Sequence, residues 1–262
     1  MKKRMIAGAL FLVGALYSAE TIDLNSPDFW KNKNVAAGNS GAALEISKPS
    51  KITGKEMFEI KPNALYRVSG EIRKAPDAPS ALFCPGFVLY DKDKREIHNY
   101  FIHVTPGTDT TLAEDASAGD SSIQITNGVR WTKKGGYAAF NDNPLPNREL
   151  SPLITGVKRV GTRWLISFKT PLTKDYKAGT KVKHHSAGSF FTPVAVRKPS
   201  EEWTPFKAEI RGVSNDVERR GMFWPGSVYM SPMALVNWNW SSKNLLKTQI
   251  RNFKIEIIEE TK

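Results

Sequence analysis

Alternation of apolar and polar residues with period two is the feature that most limits what this chain can fold into. Tyr66, Val68, Gly70 and Ile72 fall on one side of a stretch whose other side is Arg67, Ser69, Glu71 and Arg73. Phe206, Ala208 and Ile210 alternate with Lys207, Glu209 and Arg211, and Phe253, Ile255 and Ile257 alternate with Lys254 and Glu256. Successive side chains of an extended strand point to opposite faces, so this pattern predicts half-buried antiparallel strands. Phe87-Val88-Leu89-Tyr90 is a continuous apolar run and predicts a strand buried on both faces. A turn at Asp91-Lys92-Asp93-Lys94 and a return strand from Glu96 to Val104 follow from it. The one helical signal is Ser26-Pro27-Asp28-Phe29-Trp30, where Ser26 can cap a short turn opened by Pro27. Sixteen prolines and nineteen glycines punctuate the rest. The expected fold class is all-β, a β-sandwich of jelly-roll type.

The middle of the chain has a different texture. From Thr105 to about Ser189 it is rich in Gly, Thr and Ser, with a turn at Ala118-Gly119-Asp120 and a short alternation through Trp164, Ile166 and Phe168. Closely spaced short strands with glycine turns predict a small β-barrel. The strand expected to end near Val104 finds its next partner only at Phe190 to Val196, so the barrel is expected as an insertion at residues 105–189. The sandwich then comprises residues 20–104 and 190–262. A lone cysteine, Cys84, excludes an intramolecular disulfide and sits in the apolar run Leu82 to Phe87. It is expected to be a buried thiol, and the fold must rest on its core.

Residues 1–19 have the layout of a secretory signal peptide. Lys2, Lys3 and Arg4 precede an apolar run from Met5 to Val13, and small residues follow at Gly14, Ala15, Ser18 and Ala19. Cleavage is expected after Ala19, although Tyr17 is bulky for the −3 position. The mature protein is expected to be secreted, periplasmic or at the cell surface, and the short basic leader points to a bacterial host. No second apolar run approaches membrane-spanning length. The whole chain carries a formal charge of +12, and removal of the leader's three cations leaves +9. Its Lys and Arg are spread among 26 acidic residues. A solvated surface explains such a spread, and an acidic glycan or cell-wall polymer is the alternative. Nucleic acid is not an expected partner of an exported protein.

Three outer segments carry a resemblance. They are Ala64-Leu65-Tyr66-Arg67-Val68-Ser69-Gly70-Glu71-Ile72-Arg73, then Gly86-Phe87-Val88-Leu89-Tyr90-Asp91, then Glu202-Trp203-Thr204-Pro205-Phe206-Lys207-Ala208-Glu209-Ile210, closed by a strand at Gln249 to Ile258. In this order they resemble the galactose-binding-like jelly rolls, particularly the carbohydrate-binding modules of the cellulose-binding families four, nine and twenty-two. The resemblance spans roughly residues 40–104 and 190–260 and implies a non-catalytic glycan-binding role. It also implies a structural calcium, for which no carboxylate cluster in the chain gives a place. No other cofactor is expected. The middle segment resembles small β-barrels of phage and surface proteins.

Candidate ligand residues gather in Arg219 to Trp240. Trp224, Tyr229, Trp238 and Trp240 are interleaved there with Arg220 and Asn237. Flat aromatic faces stack on pyranose rings while amides and guanidinium groups bond hydroxyls; equally, aromatics of this size fill cores. The histidine pairs His98/His103 and His184/His185 lack metal-ligand spacing with a third ligand. The carboxylates Asp91/Asp93, Glu114/Asp115, Glu201/Glu202 and Glu218 lie in polar, turn-like contexts and give no clear catalytic pair. The function expected is glycan binding, anionic polysaccharides included. The alternatives are an adhesive surface protein that binds protein partners and a polysaccharide-degrading enzyme.

Overall fold

The computed structural model describes residues 17–39, 41–131, 135–215, 219–238 and 246–260. The leading strands are β1 (Tyr17–Asp23), β2 (Val35–Ala37), β3 (Leu44–Ser47), β4 (Ser50–Thr53), β5 (Phe58–Glu59), β6 (Leu65–Lys74), β7 (Leu82–Tyr90) and β8 (Glu96–Ile97). A middle set follows: β9 (Thr110–Thr111), β10 (Ser122–Ile125), β11 (Tyr137–Phe140), β12 (Ile154–Val160), β13 (Arg163–Phe168) and β14 (Lys181–His185). The chain closes with β15 (Thr192–Pro193), β16 (Thr204–Arg211), β17 (Tyr229–Trp238) and β18 (Lys247–Glu260). Pro27–Phe29 and Asn99–Phe101 form short 3-10 turns, the first capped by the Ser26 side chain.

The fold is an all-β sandwich. One six-stranded sheet runs β16-β6-β18-β3-β2, with β1 added beside β18. The other, also six-stranded, runs β15-β7-β17-β4, with β5 on β17 and β8 on β7. Period-two alternation sends Tyr66, Val68 and Ile72 of β6 and Phe253, Ile255 and Ile257 of β18 into the core, each at most 3% exposed. They meet Phe83, Phe87 and Leu89 of β7. Phe83 sits edge-on to Phe206 at 5.2 Å and to Phe253 at 6.0 Å, so rings from both sheets interlock. Gly70 makes room for them: a Cβ there would lie 3.0 Å from the Phe206 ring and 3.1 Å from Phe253 Cα.

The second sheet is covered on its other face too. Cys84, Val88, Phe191, Met233 and Leu235 form a separate apolar cluster against which Phe190 and Trp238 pack. This explains the unbroken apolar run at β7. Cys84 is buried there, and loss of solvation pushes its thiol pKa up.

Strands β9 to β14 form two three-stranded sheets, β10-β13-β12 and β11-β14-β9, around Leu112, Ile123, Ile125, Phe140, Ile166 and Val182. Two segments join this unit to the sandwich, and they pair with each other. Val104 bridges His185, Ser186 N–H donates to His103 O at 3.0 Å, and Asn99 N–H donates to Ser189 O at 3.2 Å. The return strand expected over Glu96 to Val104 is correspondingly short. After Ile97 the amides of Phe101, Ile102 and His103 bond back to His98 O and Asn99 O, which uses donors that a ladder would need.

The strand β1 begins at Tyr17, ahead of the cleavage point expected after Ala19. Glu20 to Asp23 pair with Ile257 to Lys254. Among the described residues no helix is long and apolar enough to cross a membrane.

Candidate functional site

A groove of about 980 Å³ opens between the free edges of the two sheets. One wall is the segment Thr192 to Arg197, which carries β15; the other is Lys207 to Ile210 of β16. Among the described residues each strand pairs with one neighbouring strand, β15 with β7 and β16 with β6, and at the end of β16 the Arg211 amide donates to Gly221 O at 2.8 Å. The segment Arg219 to Met222 closes one end, and Trp224 and His103 also line the groove. The wall at β15 can sit close to β7 because residue 86 is glycine: a Cβ there would lie 2.1 Å from Thr192 O.

The groove's charge is uneven. Arg197, Lys207, Arg219 and Arg220 are exposed along it, and among the described residues Glu209 is its lining carboxylate. Glu209 is already engaged by Arg67 Nε at 3.0 Å and Lys207 Nζ at 3.1 Å. These two hydrogen bonds, from Arg67 first, hold its pKa below the ordinary carboxylate value. Arg220 has no ion pair among the described residues. Pro193, Val194, Ala195 and Met222 supply apolar surface. The result is an open, cation-lined trough with a partly apolar lining, suited to an extended anionic ligand.

The aromatic segment is divided by the fold. Trp224 is 2% exposed and belongs to the sandwich core, so it lines the groove without offering a free ring face. Tyr229 and Trp238 stand at opposite ends of the ten-residue β17, roughly 30 Å apart at the usual rise per residue. Tyr229 is half-buried with Lys94 Nζ 5.5 Å above its ring. Trp238 packs on the outer cluster of the second sheet. Asn237 is 1% exposed and adopts φ 57° at a bulge in β17. Its Nδ2 donates to Ile46 O at 2.8 Å and Lys48 O at 3.0 Å, and its Oδ1 accepts from Thr248 Oγ1 at 2.7 Å. Asn237 thus ties β17 to strands of the opposite sheet. Trp240 lies outside the described residues. Of the candidate set, the groove brings together Arg220 and Trp224 alone.

Two features went unread as ligand surface. The groove walls draw on Arg197 and Lys207, which the sequence shows only as scattered cations. The signal available was Lys207 alternating outward on a strand preceded by Pro205, a residue confined to sheet edges. The second feature is Trp203, which lies beneath two guanidinium groups, Arg251 at 4.3 Å and Arg73 at 4.6 Å from its ring. Around it Arg73 donates to Gln249 at 2.7 Å, and Gln249 donates to Glu45 at 2.8 Å. Arg251 is paired with Glu71. This polar outer face of the first sheet is saturated by its own partners.

Of the carboxylates weighed as catalytic, Asp91, Asp93, Glu114, Asp115 and Glu201 are held in ion pairs. Asp91 meets Arg148 at 2.9 Å, Glu114 meets Arg163 at 3.4 Å, Asp115 meets Lys177 at 2.8 Å and Glu201 meets Lys74 at 2.7 Å. Glu218 lies outside the described residues. Among the described residues no three His, Cys, Asp or Glu side chains gather to hold a metal ion, so no residue is assigned to the implied calcium.

No protein-family model matches the chain, and no curated protein matches it. Among solved structures, VP17, a capsid protein of bacteriophage P23-77, aligns over 94% of this chain and 97% of its own length. The identity is 10% and the TM-score 0.15, a likeness too slight to carry an argument about fold or function.

Proposed function

We propose that this protein binds an acidic polysaccharide in the groove between β15 and β16, without chemical conversion, after export from the cytoplasm. The carrying observation is the line of exposed arginines, Arg197, Arg219 and Arg220, along a trough whose lining carboxylate among the described residues, Glu209, is held by Arg67 and Lys207. Carboxylates or sulfates of a glycan would meet the guanidinium groups in bidentate fashion, which suits Arg better than Lys. Sugar C–H faces would lie on Pro193, Val194 and Met222. The sandwich scaffold and the resemblance to carbohydrate-binding modules support the same reading.

A glycan array tests it. Saturable binding to a uronate- or sulfate-bearing class, weakened in Arg220→Ala with the fold intact, is the expected result. A second reading rests on the open edge of β16, to which a partner protein can add a strand. Pro205 and Lys207 on that edge are the residues that natural sheets use to prevent such pairing, which favours the glycan. Binding to no glycan together with self-association in solution would reverse the choice.

A further inference from the structure

The hairpin formed by β12 and β13 carries a charge pattern that the groove does not use. Residues 150–174 hold five cations, Lys158, Arg159, Arg163, Lys169 and Lys174, and no carboxylate. The stretch 121–141 is likewise free of carboxylates and holds Arg130, Lys133 and Lys134. The fold sets these two stretches side by side. β10 and β12 flank β13, with Ile125 opposite Trp164 and Trp164 opposite Arg159. Gly128, just beyond β10, rests on the Trp164 indole: a Cβ there would lie 2.8 Å from its Cγ. The loop that follows is anchored by Trp131, which is buried and donates from Nε1 to Thr108 O at 3.1 Å.

The end of the hairpin stands free. Alternation buries Val157 and Ile166, but from Lys158 to Arg163 every residue is exposed. Val160 and Arg163 face each other across a two-residue turn at Gly161-Thr162. Gly161 has φ 57°, and a Cβ on it would meet nothing within 4 Å. Val160 is 49% exposed, and Val129, on the loop anchored beside Trp164, is 72% exposed. These are two of the four large hydrophobic side chains exposed among the described residues, so apolar surface is concentrated at this end of the middle unit. Cations surround it. Among the described residues Lys158, Arg159 and Arg130 have no ion pair. Arg163 meets Glu114 at 3.4 Å with both side chains about half exposed, a pair that contributes little and can exchange for another anion.

We propose that this end of the middle unit docks on an anionic lipid bilayer. Val160 and Val129 enter the headgroup layer, and Lys158, Arg159, Arg163 and Arg130 meet lipid phosphates. The convex shape favours a bilayer over a soluble polymer. A polysaccharide chain is held along a trough such as that between β15 and β16. A protruding turn with an apolar tip and a cationic collar fits a surface that is anionic outside and apolar within. The long stems of Lys and Arg keep their charges at phosphate level while the valines go deeper. The docking end shares no residue with the groove, so the two proposals fail separately.

A fluorophore at the tip of the full chain tests this. The native cysteine, Cys84, is buried, so a cysteine introduced by Thr162→Cys can be labelled selectively with an environment-sensitive dye. With vesicles of phosphatidylglycerol in phosphatidylcholine the dye should shift to the blue and become open to quenchers carried on lipid. Phosphatidylcholine alone should give no shift, nor should a dye at Lys92→Cys in the sandwich. A near-surface cation contributes roughly fivefold to partitioning, so Lys158→Gln with Arg159→Gln should weaken the lipid titration on the order of 25-fold. Val160→Ser should weaken it several-fold without lowering the melting temperature. Raising salt from about 0.1 M to about 1 M should also weaken it, as the screening length falls from about 10 Å to about 3 Å. Arg220→Ala, in the groove, should leave it unchanged. Residues 1–19 are common to every variant, and their own lipid affinity does not bring residue 162 into lipid. No shift at residue 162, an equal shift at residue 92, an unaltered titration in the double variant, or the same shift with a free uronate oligosaccharide in place of vesicles would overturn the proposal.

Discussion

Arg148, from the loop between β11 and β12, donates to Asp91 Oδ2 at 2.9 Å and so fastens the middle unit to the turn after β7. The same guanidinium reaches the carbonyls of Arg95 and Glu96 and lies 4.6 Å over the Phe101 ring. The Asp91 side chain is 8% exposed. Burial pushes its pKa up, but hydrogen bonds from the Arg95 amide and guanidinium, the Arg148 charge and the Asp93 amide outweigh this and hold it below the ordinary value. Arg148→Ala should cost about 1–3 kcal/mol, since Asp91 keeps its bonds to Arg95. The contribution of the carboxylate is present above the unfolded pKa near 3.9 and is lost as pH falls through the lower folded value. Denaturant melts of wild type and variant should therefore differ most at pH 7, and the difference should narrow, without vanishing, as pH falls below about 3.9, because the Arg148 bonds to the Arg95 and Glu96 carbonyls do not titrate.

Gly86 sets the position of the groove wall. A methyl group there would strike Thr192 O, a backbone atom with no rotamer to yield. Gly86→Ala should lower stability by about 1–3 kcal/mol and displace β15 from β7. Affinity for an acidic glycan should fall with it. Full affinity in a well-folded Gly86→Ala protein would place the ligand elsewhere.

Asn237 separates structural from ligand roles. Its three hydrogen bonds tie β17 to the opposite sheet, and its removal takes a donor from the carbonyls of Ile46 and Lys48 and the acceptor from the Thr248 hydroxyl, with Lys48 O keeping its bond from Ser50 Oγ. Its left-handed φ also disfavours alanine. Asn237→Ala should cost about 2–4 kcal/mol, measured by thermal or denaturant melts. The affinity of the fraction that remains folded should be that of the wild type.

How much of this was legible in the sequence depended on the range of the signal. Alternation in β6, β16 and β18 gives strand type and core face directly, because each side chain's direction follows from its neighbours'. The double burial of β7 showed as an unbroken apolar run. Ser26 capped its turn as Pro27 foretold. The candidate site was legible only in part. Trp224 and Trp238 look alike as letters, yet one is in the core and the other covers the outer face of the second sheet. That choice depends on which strands lie opposite, and spacing does not report it. The cations of the groove come from three separate segments. Their convergence is a product of topology, so no local motif announces it.

The central claim is charge reading of an acidic glycan by the groove. The direct measurement is titration calorimetry of matched neutral and uronate-containing oligosaccharides at low and high ionic strength, with wild type and Arg197→Ala, Arg220→Ala. The uronate ligand should bind at least tenfold more tightly than the neutral one at low salt. That margin should shrink as salt shortens the screening length from about 30 Å at 0.01 M toward 8 Å at physiological strength. The double variant should lose most of the margin while its melting temperature stays within a few degrees of wild type. Equal affinity for both ligands, unmoved by salt or by loss of the two arginines, would contradict it.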